Sequence, residues 1–261
     1  MEEKKLKHEV IPYIKEISPE VISIIAIGSW THPKIWKKDI SDIDLVCLLP
    51  CCPKKRFLSK IYQIQEKIKY LGVKFLFFPK IIDDFQGQQI NTKLMFDNQI
   101  IDVCWSTPQV NIGSRTEEII QDNLELYLGN LYFYGLKLYG EFEQKILPKH
   151  QPYLEEEIRK TRLKKIKSYL KLSFKEILQA VKSDPLSCLH IYAKFQSILL
   201  QYIFLKHRVY PISYTKHLSY QIDLLLKIKN DEKSALINIL NFHTSIEEKL
   251  STIFSFYIAQ K

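Results

Sequence analysis

Asp42 and Asp44 lie two residues apart in Ser41-Asp42-Ile43-Asp44-Leu45, so on a strand both carboxylates point to the same side of a sheet. Ahead of them the apolar run Ile24-Ile25-Ala26-Ile27 ends at Gly28-Ser29, where a backbone without a Cβ can approach a phosphate. Paired carboxylates aimed at an anion-binding turn are what Mg²⁺ carrying a triphosphate requires. Two such ions would hold the attacking and leaving oxygens of an in-line displacement. A third acid, Asp102, interrupts the otherwise apolar Ile100-Ile101-Asp102-Val103-Cys104-Trp105, and an adjacent strand would bring it beside the other two. Three crowded carboxylates repel one another and need cations, or one of them must bind a proton.

These residues need a sheet to hold them. A helix is expected over residues 3–17, with Leu6, Val10, Tyr13 and Ile14 on one face, closed by Ser18-Pro19. Strands follow at 21–27 and 43–49, separated by a glycine-free polar loop, 30–41. Helical spacing returns over 54–71, and further strands are expected at 73–78, 90–96 and 100–105. Asp97-Asn98 is the hairpin turn between the last two. A helix at 116–128 and the segment Leu136-Lys137-Leu138-Tyr139-Gly140 complete a mixed α/β unit. From about residue 154 the period is helical throughout, with breaks at Asp184-Pro185, Tyr210-Pro211 and Asn230-Asp231, which reads as a bundle of four helices. Its first helix carries an apolar stripe (Leu163, Ile166, Leu170, Phe174, Ile177) beside a basic one (Lys160, Lys164, Lys167, Lys171, Lys175). The fold class expected is therefore an α/β (α+β) domain with a mixed sheet over residues 1–150, followed by an all-α helical bundle domain over 151–261.

Composition bounds the setting. The 261 residues are 46% hydrophobic and 26% charged, which is globular rather than disordered. The net charge of +9 falls mostly on residues 151–261, so the bundle suits an anionic partner such as RNA, or simply has a solvated lysine-rich surface. The five cysteines have no metal-type spacing and read as reduced and structural. No secretory signal and no run of about 18 apolar residues occurs, so a cytoplasmic protein without a membrane partner is expected. Neither a Gly-x4-Gly-Lys-Ser/Thr loop nor a Gly-x-Gly-x-x-Gly turn is present, and the histidines lack metal spacing.

In order and spacing, Gly28-Ser29, Ser41-Asp42-Ile43-Asp44-Leu45 and Ile101-Asp102-Val103 resemble the nucleotidyltransferase superfamily related to polymerase beta. A catalytic domain followed by a helical bundle is most similar to the bacterial antibiotic nucleotidyltransferases of aminoglycoside and lincosamide type. The resemblance implies Asp42 and Asp44 as metal ligands, Asp102 as third ligand or general base, and Gly28-Ser29 as the triphosphate cradle. It also implies Mg²⁺, with two ions, and ATP or another nucleoside triphosphate as co-substrate. His207-Arg208-Val209-Tyr210-Pro211-Ile212-Ser213-Tyr214-Thr215-Lys216 resembles a bundle feature of some relatives, which makes Lys216 a candidate for reaching the triphosphate, against the plainer reading of a surface lysine.

The function expected is transfer of a nucleoside monophosphate, AMP from ATP, to a hydroxyl of a small molecule such as an antibiotic, with release of pyrophosphate. The basic bundle keeps RNA or protein open as the acceptor. A catalytically silent, antitoxin-like nucleotide-binding module is the alternative of a different class, although it would have no need of three acids.

Overall fold

Residues 3–17 form one continuous helix, α1, that widens into a π turn at Leu6–Val10 before resuming α geometry at Ile11–Ile17. Pro12 accounts for the widening, because it has no N–H to give and its ring crowds the carbonyl one turn back. The computed structural model describes residues 2–37, 41–50, 54–70, 80–84, 87–107, 129–141, 155–213, 216–225, 228–241 and 243–259. The chain divides into two compact units, the first containing the described residues up to 141 and the second those from 155 onward.

The first unit is built on a six-stranded mixed sheet. Its strands are β1 (Ser23–Ile27), β2 (Ile43–Leu48), β3 (Lys80–Asp84), β4 (Gly87–Phe96), β5 (Gln99–Ser106) and β6 (Leu136–Gly140). They lie in the order β3-β4-β5-β2-β1-β6. The β2–β5 pair is parallel and the others are antiparallel. A second helix, α2 (Lys54–Tyr70), follows β2.

Alternation along the strands sorts side chains to two faces. Ile24 and Ala26 of β1, Ile43, Leu45 and Cys47 of β2, and Ile101, Val103 and Trp105 of β5 share one core with α1 and α2, which contribute Leu6, Val10, Ile14, Phe57, Ile61, Ile64 and Ile68. The residues between them face the other way. There a smaller cluster of Ile25, Val46 and Leu48 is covered by Leu131, from a π turn at Gly129–Phe133. Trp105 is fully buried, and its indole N–H donates to Thr92 Oγ1 at 2.9 Å, tying β5 to β4 within the core.

In the second unit α3 (Glu156–Ser183) and α4 (Pro185–His207) are long, and α5 (Leu218–Leu224), α6 (Asn230–Leu240) and α7 (Ile246–Ile253) are short. Ile166, Leu170, Phe174 and Ile177 of the expected apolar stripe are buried, while Leu163 is only half-buried and Arg162 takes the neighbouring core position. Asp184 ends α3 and caps α4, accepting from the backbone N–H groups of Leu186 and Ser187.

Two expectations need correction. Five helices are present among the described residues of this unit, not four, because α6 ends at Leu240 and α7 starts only at Ile246. Asn241 turns the chain by accepting the His243 N–H, and Ser245 caps α7 by accepting the Glu248 N–H. In the sheet, β3 was not anticipated, because Lys80-Ile81-Ile82-Asp83-Asp84 is short and charged, a composition that suits the edge position it takes. The expected strand at 73–78 and helix at 116–128 lie outside the described residues.

Candidate functional site

The three aspartates converge on the sheet face opposite α1 and α2. Asp44 and Asp102 are direct partners across the parallel β2–β5 pair, and Asp42 precedes Asp44 by two residues, so the pleat sends all three side chains the same way. Asp42 stands just before β2, and its segment is pinned by Gln99 at the start of β5, whose side-chain amide donates to the Ser41 carbonyl at 2.7 Å. One oxygen of each carboxylate lies within 4.8 Å of the others, and all three residues are part-exposed.

Gly28 belongs to this arrangement. Its neighbour Ile27 is the β1 partner of Asp44, and a Cβ placed on Gly28 would collide with Asp44 Oδ2. Its φ of +69° adds a second reason for glycine, since side-chain-bearing residues rarely adopt it. The chain then tightens into a single 3₁₀ turn, Gly28–Thr31, closed by the Thr31 hydroxyl donating to the Gly28 carbonyl at 2.9 Å. Ser29 is part-buried in that turn. His32, read from sequence as structural or surface, is buried with its ring edge-on to Tyr134, 4.8 Å between centroids.

Sequence reasoning missed Lys93. It lies on β4 directly opposite Asp102, and its ammonium contacts Oδ2 of Asp102 at 3.1 Å and Oδ2 of Asp42 at 3.3 Å. Burial works against its charge, but the two carboxylates outweigh that and hold the ammonium above its ordinary pKa. The signal was available. With Asp97 and Asn98 as a two-residue turn, pairing runs outward from Phe96 and Gln99 and reaches Lys93 opposite Asp102. Both turn residues have the positive φ that such a turn demands, 45° and 63°.

The donor set suits a hard divalent cation. Carboxylate oxygens are the ligands Mg²⁺ and Mn²⁺ prefer, and an ion with oxygens at about 2.1 Å keeps opposite ligands about 4.2 Å apart. Only one pair among three ligands can be opposite, and adjacent ones sit about 3 Å apart, so carboxylate oxygens within 4.8 Å of one another need to close by up to roughly 2 Å to share one ion. Lys216 belongs to the second unit, where it is exposed and its backbone N–H donates to Ser213 Oγ.

No family model and no curated protein matches this chain. Among solved structures, a nucleotidyltransferase-like protein from Exiguobacterium sibiricum matches 96% of this chain and 71% of its own, at 10% identity and a TM-score of 0.38. Similarity at that level leaves the chemistry of the centre to its own side chains. Among the described residues no helix is long and apolar enough to cross a membrane.

Proposed function

We propose that this chain is a metal-dependent nucleotidyltransferase, moving a nucleoside monophosphate from a triphosphate to an acceptor hydroxyl. The observation that carries the reading is the convergence of Asp42, Asp44 and Asp102, drawn from two strands, beside a glycine whose missing Cβ leaves room for Asp44. A protein gains nothing in stability from bringing like charges together, so a cluster of this kind points to a cation as its purpose.

Asp42 and Asp44 hold the divalent ion, whose chemistry is to neutralise the triphosphate and polarise the phosphorus under attack. Gly28 and Ser29 bring the backbone close to the phosphates at the end of β1. Asp102 takes the proton of the acceptor hydroxyl as that oxygen bonds to the α-phosphorus. The bond from the α-phosphorus to the bridging oxygen breaks, and pyrophosphate leaves with the electron pair.

The sequence resemblance extends the proposal to ATP as donor and to a small-molecule hydroxyl, such as that of an antibiotic, as acceptor. The exposed lysines of α3, at 160, 164, 171 and 175, support a second reading in which the acceptor is RNA. Lys216 stays a candidate triphosphate contact. Pyrophosphate release is the test, measured with each of the four ribonucleoside triphosphates, Mg²⁺ and a panel of hydroxyl acceptors that includes antibiotics and RNA. Release that requires an acceptor and is lost in Asp44→Asn supports the reading; no release with any pair counts against it.

A further inference from the structure

Two of the three carboxylates already share a cation. Lys93 reaches Oδ2 of both Asp42 and Asp102, whereas Asp44 lies against Gly28. This lysine is no loop residue finding a chance partner. It is fixed opposite Asp102 by the register of a tight hairpin, and it is part-buried on the face that carries the acids. Where two divalent ions act together they sit about 3.5–4 Å apart and share carboxylates. A second ion beside one held by Asp42 and Asp44 would draw on Asp42 and Asp102, and the space between those two is where the ammonium stands.

We propose that Lys93 is the second cation of this centre: the chain binds one divalent ion, on Asp42 and Asp44, and the Lys93 ammonium takes the place of another between Asp42 and Asp102. The inference rests on the metal-dependent reading above and deepens it. Lys93 acts as a positioning residue, holding the Asp102 carboxylate oriented towards the acceptor without occupying a metal's coordination sphere.

The test counts ions on the full chain, with Mn²⁺ alone as the probe, by equilibrium dialysis and the electron paramagnetic resonance of free Mn²⁺. The wild-type chain is expected to bind one Mn²⁺. Lys93→Met, similar in length but neutral, is expected to bind two, and Lys93→Arg, which restores the charge, to bind one. Affinity for the single wild-type ion should fall at least tenfold in Asp42→Asn and Asp44→Asn and stay within about threefold in Asp102→Asn, a comparison that holds even if Lys93→Met fails to fold. Two ions on the wild-type chain, one on a folded Lys93→Met, or loss of the wild-type ion in Asp102→Asn would each overturn the role of Lys93 while leaving the metal-dependent reading standing. A wild-type chain that binds no Mn²⁺ overturns both.

Discussion

Charge is arranged in opposite ways in the two units. On the sheet face opposite α1 and α2 in the first unit, three carboxylates and the Lys93 ammonium crowd together. On α3 of the second unit, Lys160, Lys164, Lys171 and Lys175 recur along one exposed stripe. Elsewhere in the second unit, described charges meet in simple pairs. Lys206 meets the buried Glu232 at 2.7 Å, and Lys233 meets Asp223 at 2.8 Å. Spread or paired charge serves solubility and stability. Crowded carboxylates repel one another, and that difference is why the proposed chemistry is assigned to the first unit.

Mutations on the two sides of this comparison should behave differently. The largest effect is expected for Asp102→Asn, which keeps the shape but supplies no basicity. It should lower turnover by about a hundredfold or more while leaving Mg²⁺-nucleotide affinity little changed. Asp42→Asn and Asp44→Asn should lower both, and single-turnover kinetics with calorimetry separates the two groups. Gly28→Ala should cost about 1–2 kcal/mol in thermal or denaturant unfolding, from its positive φ and the collision with Asp44, and should weaken ion binding as that carboxylate moves. Glu232→Gln should cost about 1 kcal/mol, because it leaves Lys206 without its buried partner. Asp42→Asn, by contrast, should leave the ion-free protein as stable as before. Replacing Lys164, Lys167 and Lys171 together by Gln should change stability by less than about 0.5 kcal/mol. The same triple variant sharpens the RNA reading. If the stripe binds RNA, the steep fall of affinity with salt should flatten in the variant, and salt-independent binding would leave the stripe a solvated face.

Period-two patterning made the sheet face of the acids legible in advance. In β2 and β5 the residues flanking each aspartate are aliphatic and belong in a core, so the aspartates had to face away from it. The hairpin turn was legible for the same kind of reason, and carrying its register out to the fourth pair from the turn would have revealed Lys93. The break before α7 also had a local signal, Ser245 followed by Glu248 as in a capping box, but it is short and sits within a helical period that continues on both sides. β3 had no such signal, because an edge strand is held by pairing to one neighbour rather than by burial of a patterned face. Nor can Gly28 be matched to Asp44 from sequence alone. That contact depends on the β1–β2 register, and no tight turn sets it.

The central claim is that the carboxylate centre exists to hold a divalent ion for a nucleotide, and calorimetric titration with the four ribonucleoside triphosphates addresses it most directly. With Mg²⁺ present, the wild-type chain should bind at least one of them tenfold or more tightly than in excess chelator, since triphosphate charge beside Asp42 and Asp44 is repulsive without the ion. Asp44→Asn should abolish that difference. Equal affinity in Mg²⁺ and in chelator, for every triphosphate that binds, would contradict the account.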